Sequence, residues 1–137
     1  MDITAINETI VESHGFEQNV GMEFFSTEDP DTCMAKMHVD KRNMQPFGFL
    51  SGGAILALAE TLAGAGSSAL CPDCICMGMG VNASHVHSAK EGETVTAIAH
   101  ILHKGSRTHL WRVDVTSDTG ELISTVNVTN FVVKKQL

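Results

Sequence analysis

Tyrosine is absent from this sequence, tryptophan occurs once and phenylalanine six times, so aromatic side chains alone do not define a pocket. Basic residues are scarce: nine Lys and Arg stand against sixteen Asp and Glu, a formal net charge of −7. No basic stripe is visible, which argues against a nucleic-acid partner. Met1 is followed by Asp2 and by no apolar stretch, so no signal peptide is expected. The four cysteines, Cys33, Cys71, Cys74 and Cys76, have neither the number nor the context of a disulfide scaffold, and a reduced, cytoplasmic setting is the expectation. Repeats, low-complexity tracts and linkers are missing. A chain of 137 residues suits one domain with its own core.

What the chain does have is a run from Ser51 to Leu70 built of Ala, Gly, Leu and Ser, with Glu60 as its one ionisable side chain. Ala and Leu favour a helix, and no proline interrupts before Pro72. Apolar or small on every side, this helix is expected to be buried all round. A membrane span is rejected, because Gly, Ser and Ala outnumber bulky apolar residues and a mid-helix carboxylate is costly in lipid. A buried helix with a single carboxylate remains, and that carboxylate needs a role.

Around this helix the remaining pattern is mostly strands. Residues 2–12 place Ile3, Ile6, Ile10 and Val11 at helical spacing, with Asp2 as N-cap and Gly15 as terminator. Met22 to Ser26 and Cys33 to Val39 read as strands about the Glu28–Asp31 turn, and Asp40 to Leu50 as irregular chain. After Pro72, strands are expected over Met77–Val86, Thr94–His103, Arg107–Ser117 and Leu122–Val133. The second places Val95, Ala97, Ala99 and Ile101 on one face, and the third does the same with His109, Trp111, Val113 and Val115. Lys104-Gly105-Ser106 and Asp118-Thr-Gly120 are the hairpin signals. The expected fold is α+β: one long helix wrapped by a curled, mostly antiparallel sheet of five or six strands.

Three blocks carry a family resemblance. Asn43-Met-Gln45-Pro-Phe-Gly48-Phe-Leu-Ser51-Gly52-Gly53 running to Glu60-Thr61 resembles the signature of hotdog-fold acyl-CoA thioesterases. The branch is the helix-glutamate type, which contains the hydroxybenzoyl-CoA, phenylacetate-pathway and dihydroxynaphthoyl-CoA thioesterases. Asn82-Ala-Ser-His85-Val-His87-Ser88-Ala-Lys90-Glu-Gly92 and His103-Lys104-Gly105-Ser106-Arg107 with Trp111 are similar to the same branch. Two positions depart from it. Ser51 stands where the family usually has histidine, and Gly64 where it often has Ser or Thr. Both changes remove polar groups that help position substrate or water. The resemblance covers the chain from about Gly21 onward, and the expected organisation is a single hotdog domain over residues 1–137, with residues 1–14 as a short N-terminal helix.

The chemistry of thioester hydrolysis fits these residues. Free N–H groups and the positive dipole end at a helix start polarise a carbonyl, and Gly52 has no side chain to block an acyl group. Its structural alternative is close approach of helix and strand. Glu60 is the candidate attacker, as general base on water or as nucleophile, with burial expected to raise its pKa. Gly52 and Glu60 are eight residues apart, about 12 Å along one helix, so one thioester cannot touch both. Two antiparallel helices across a two-fold axis would bring Glu60 of one chain to Gly52 of the other.

The resemblance adds the remaining roles. Gln45 holds the thioester or leaving group, and Ser51, an N-cap by residue type, is the fourth candidate catalytic position. Gly78 lies along the strand where pantetheine runs, and His85 and Val86 fall near the substrate. His87, Ser88 and Lys90 on one turn, with His103, Lys104, Gly105, Ser106 and Arg107 on the other, meet coenzyme A, which is the substrate's leaving group rather than a cofactor. No metal is expected. Cys71-Pro-Asp-Cys74-Ile-Cys76 lacks the second pair a zinc site needs, and a helix C-terminus disfavours thiolate, so it reads as a turn with incidental cysteines. The implied assembly is a homodimer at least, with a homotetramer as the expectation, acting on an acyl-CoA with an aromatic or medium-length acyl group. Two alternatives stay open: a hotdog dehydratase or hydratase, and a non-enzymatic acyl-CoA binder.

Overall fold

Alternating burial along the strands assembles the core. The computed structural model describes residues 1–136. Two N-terminal helices, α1 (Thr4–Ser13) and α2 (Phe16–Asn19), precede β1 (Met22–Phe25) and β2 (Thr32–His38). The long helix α3 (Gly52–Leu70) follows, then β3 (Cys74–His85), β4 (Thr94–Lys104), β5 (Thr108–Thr116) and β6 (Leu122–Lys134). The six strands form one sheet in the order β1-β2-β4-β5-β6-β3, every neighbouring pair antiparallel. Val95, Ala97, Ala99, His109, Trp111, Val113 and Val115 all face inward, fully buried or nearly so. They meet Leu58, Ala59, Leu62 and Ala63 of α3, each 0% exposed. Fully burying a side chain the size of Leu contributes about 1.5–3 kcal/mol, so each large residue of this helix–sheet seam adds substantially to the stability.

The helix is not buried all round. Its inward stripe runs through Ile55, Leu58, Ala59, Leu62, Ala63, Ala65, Gly66 and Ser67. Leu56, Ala57, Glu60, Thr61, Gly64 and Ser68 are only half-buried. The reason is topological: the sheet curls around one side of α3 and its strands cannot reach the other within one chain. β3 is an edge strand, with Ile75, Met77 and Met79 at least half exposed.

The ends of elements differ from expectation in small ways. β3 begins at Cys74, where pairing with Lys134 starts, rather than at Met77. α1 ends at His14, which adopts the left-handed conformation (φ 50°) and donates its N–H to Val11 O, while Gly15 opens α2. Asp2 accepts the Thr4 N–H at 2.9 Å, one residue ahead of the helix's N-cap, Ile3. The cysteines of the turn after α3 are not incidental: Cys71 and Cys74 form a disulfide across that turn, leaving Cys33 and Cys76 as free thiols. One bridge spanning three residues is local and constrains little of the chain.

Candidate active site

Asn43 fixes the approach to α3. Buried to 4% exposure, its side chain donates to Val20 O (2.9 Å) and His38 O (2.8 Å) and accepts the Asp40 N–H (3.1 Å). Its carbonyl takes the Ser51 N–H at 2.9 Å. Every polar atom of this amide is engaged, so the loop from Asp40 to Leu50 is held in one shape. Gly48, with φ +93°, turns the loop at a position side chains rarely tolerate. Leu50 N–H then donates to Ala89 O (2.9 Å), and Phe49 bridges to Lys90. The Ser88–Gly92 turn is thereby pinned beside the start of α3.

Several predicted site residues meet there. Gln45 Oε1 accepts the Phe47 N–H within its own turn, which leaves the NH₂ group as the end available to a ligand. Ser51 occupies the N-cap of α3 with extended backbone, yet its hydroxyl makes no capping hydrogen bond; the cap expected from its residue type is not formed. His85 comes from the end of β3 and aims Nε2 at Gly52. A Cβ built on Gly52 would lie 2.9 Å from that nitrogen. The other ring nitrogen, Nδ1, lies 2.9 Å from Ser124 Oγ. Val86 and His87 both donate their N–H to Ile123 O, at 2.8 and 3.2 Å. His87 is drawn to Glu121, with Nε2 2.9 Å from the carboxylate, an acidic neighbour that opposes an anion there. Ser88 and Lys90 are exposed.

Glu60 sits two turns down the helix, against β3. The carboxylate occupies the space where a side chain at Gly78 would be: a Cβ built there would lie 2.8 Å from Glu60 Cδ and closer still to Oε1. Gly78, placed by the resemblance on the strand where pantetheine runs, here admits the Glu60 carboxylate. The β3–β6 register shifts between Gly78 and Gly80, a bulge of the kind that re-aims chain beside functional sites. Glu60 is half-buried rather than enclosed. Among the described residues it makes no side-chain hydrogen bond and no ion pair.

His103, Lys104, Gly105, Ser106 and Arg107 lie elsewhere. Gly105 N–H closes their hairpin on Thr108 O at 2.9 Å, and Arg107 O accepts the Val132 N–H at 2.8 Å. On β6, Ser124 pairs with His85 whereas Phe131 pairs with Thr108, which separates the two turns by roughly 23 Å within one chain. The hairpin residues therefore form a second cluster apart from the one at the start of α3, and Glu60 with Gly78 lies two turns of α3 away from the first. Among the described residues Lys90, Lys104 and Arg107 enter no ion pair.

Under the second cluster lies a polar group that sequence patterning assigned only to the core. Ser67 Oγ, at 0% exposure, is 2.9 Å from each of Trp111 Nε1, Asn130 Nδ2 and His109 Nδ1. Trp111 and Asn130 can only donate through those nitrogens, and they fill both lone pairs of the hydroxyl. The Ser67 proton is then left for His109 Nδ1, which must be unprotonated. Burial, with Lys104 and His103 adding positive charge nearby, pushes the His109 pKa below its usual 6.5, in keeping with that neutral ring. Asn130 Oδ1 is buried without a partner among the described residues.

A groove of about 520 Å³ lies outside both clusters, lined by residues including Ile3, Ile6, Ala69, Pro72, Cys74 and Cys76. It contains none of the predicted site residues. Among the described residues, no group of three or more His, Cys, Asp or Glu side chains is gathered as a metal ion would need.

Comparison with known proteins gives a consistent answer. The family model described as "Thioesterase superfamily" matches residues 47–124. A 1,4-dihydroxy-2-naphthoyl-CoA hydrolase of Listeria monocytogenes is 34% identical over 123 residues, covering 89% of this chain and 98% of the relative. The proofreading thioesterase EntH of Cronobacter turicensis is 34% identical over 121 residues, covering 88% and 85%. The crystal structure of a mutant thioesterase from Pseudomonas aeruginosa superposes with a TM-score of 0.88 at 32% identity, covering 98% of this chain and 96% of that one.

Proposed function

The chain belongs to the thioesterase superfamily, has its hotdog fold and is a thioester hydrolase; from that premise we propose that it hydrolyses an acyl-CoA, with an aromatic or medium-length acyl group, in a site shared by two subunits and without a metal. The observation that carries this reading is Glu60. It lies at the edge of the outer face of α3, half-buried against Gly78 and free of hydrogen bonds and ion pairs among the described residues. A half-buried carboxylate with no partner is suited to accept a proton or attack a carbon.

In the proposed reaction the Gly52 N–H donates to the thioester oxygen and to the oxyanion that replaces it. The Gln45 NH₂ group holds the thioester from the loop. Glu60 of the facing subunit takes a proton from water as the water oxygen bonds to the carbonyl carbon. The tetrahedral intermediate collapses, the C–S bond breaks, and the proton held by Glu60 passes to the departing sulfur. Alternatively Glu60 attacks the carbonyl carbon directly, the C–S bond breaks with release of the thiolate, and water adds to the Glu60 carbonyl carbon of the resulting anhydride. Single turnover in ¹⁸O-water separates the two: label enters Glu60 only in the second.

The dimer reading is supported by the exposed edge strand β3 and by the half-buried outer face of α3. A two-fold axis beside them would also place the His103–Arg107 turn of one subunit near the Ser88–Lys90 turn of the other, giving coenzyme A phosphates cationic groups that a protein of net charge −7 otherwise lacks. A tetramer, built from two such dimers, and a cytoplasmic setting belong to the same proposal. The aromatic acyl group is supported by the Listeria monocytogenes relative's name.

Subunit mixing tests the shared site. Glu60→Ala and Gly52→Val chains are each expected to be inactive. Co-expressed with different tags, they form hybrid dimers with one intact site, giving about a quarter of wild-type activity across the mixture. Activity that stays at zero in purified hybrid dimers overturns the shared site. A wild type that releases no thiol from any CoA ester in an aromatic and aliphatic panel overturns the substrate class.

A further inference from the structure

His85 is held by a residue that none of the family-like blocks contains. Ser124 lies directly across from it in the β3–β6 register and is 0% exposed. Its hydroxyl donates to Ser84 O at 3.2 Å and lies 2.9 Å from His85 Nδ1. A carbonyl oxygen only accepts, so while the hydroxyl donates to Ser84 O its single proton is not available to His85. The contact with His85 is then satisfied only if the imidazole donates. A neutral ring carries one N–H, and placing it on Nδ1 leaves Nε2 as a bare acceptor. That nitrogen is the one aimed at Gly52, where a Cβ would be 2.9 Å away.

We infer that Ser124 is a positioning residue which fixes His85 in the Nδ1–H tautomer and so presents the Nε2 lone pair beside the helix start, as an acceptor for a hydrogen-bond donor on the acyl group. The substrate half of this assignment rests on the acyl-CoA reading above. Beside an N–H that binds a carbonyl oxygen, an acceptor favours an acyl group with a hydroxyl next to that carbonyl. It disfavours the same group with the hydroxyl methylated, because the lone pair then faces no donor.

Two measurements on the full chain test this. Nitrogen–proton correlation spectra of ¹⁵N-histidine-labelled protein at alkaline pH, with His85 assigned through His85→Gln, read the tautomer directly. The wild type is expected to show Nδ1–H at His85; Ser124→Ala is expected to relax toward the Nε2–H form that free imidazole prefers, and Ser124→Thr, which keeps the hydroxyl, to restore Nδ1–H. The second measurement is the ratio of kcat/KM for 2-hydroxybenzoyl-CoA over 2-methoxybenzoyl-CoA. Ser124→Ala is expected to lower that ratio about tenfold, toward the His85→Ala value. An Nε2–H ring in the wild type overturns the assignment, and a Ser124→Ala variant with unchanged tautomer or unchanged ratio overturns the positioning role. If the wild type hydrolyses neither ester, the substrate half falls, the acyl-CoA reading is decided by the wider ester panel above, and the spectra still decide what Ser124 does to His85.

Discussion

Replacing Gly78 by alanine puts the geometry of Glu60 to a sharp test. The new Cβ would sit 2.8 Å from Glu60 Cδ and 3.0 Å from Cγ, whereas carbon atoms settle at about 3.5–4.0 Å. The carboxylate must therefore retreat by about 1 Å from β3. Misplacing a reacting group by about 1 Å costs on the order of a hundredfold, which is about 2.7 kcal/mol of transition-state stabilisation. Folding is expected to be spared, because what moves is the end of a flexible side chain. Gly78 also has no positive φ, so alanine restricts the unfolded chain and offsets the crowding by about 0.4–1 kcal/mol. The assay is thiol release from a CoA ester, read as kcat/KM, alongside the urea midpoint at fixed protein concentration. Gly80→Ala is the control: its Cβ meets no atom within 4 Å, and near wild-type activity is expected. A Gly78→Ala enzyme with wild-type kcat/KM, where Glu60→Gln is inactive, would refute the claim that Glu60 works from this position.

Other substitutions probe the rest of the molecule. Ser67→Ala leaves the Trp111, Asn130 and His109 nitrogens without their shared partner and is expected to cost about 2–3 kcal/mol in chemical denaturation. Gly66→Ala drives a Cβ to 2.9 Å from Trp111 Cζ2 and 3.1 Å from Cys33 Sγ; about 1–3 kcal/mol of overpacking should appear as a lowered Tm. Gly64→Ser meets open space, restores the hydroxyl seen in the resembled family and removes a mid-helix glycine. A urea midpoint raised by an amount equivalent to about 0.5 kcal/mol is expected, and a fall would mean that the outer face of α3 is covered tightly at that position. The pH dependence follows from His109, whose folded-state pKa lies below its ordinary 6.5. The unfolded chain takes up that proton first, so stability is level above about pH 6.5 and declines as pH drops below it. Urea midpoints across pH 5 to 8 check this, and His109→Gln should flatten the decline. The Asp40 carboxyl, held down to about 2 by its Arg42 hydrogen bonds, acts in a separate window below its usual 3.8, where its contribution is lost as pH falls.

Residue order alone determined the strand faces, the long helix with its lone Glu60, and the hairpins at Lys104 to Ser106 and Asp118 to Gly120, because each depends on neighbours a few positions apart. Periodicity of two exposes which of Val95, Ala97, Ala99 and Val113, Val115 share a face, and the glycines announce the turns. The three family-like blocks likewise marked Gln45, Gly52, Glu60 and His85, since each block is continuous chain. Tertiary structure decided what lies across gaps of tens of residues. The sheet curls around only one side of α3, so the helix is half-covered, which no composition could tell apart from full burial. Glu60 rests on Gly78, His85 on Ser124, and Ser67 gathers His109, Trp111 and Asn130, pairings set by strand register and by where the helix crosses the sheet. Ser51 has the residue type of a cap and leaves the capping bond unmade, while Cys71 and Cys74 close a bridge that spacing did not demand. Local preference reads short distances along the chain; which partners meet is a property of how the whole surface closes.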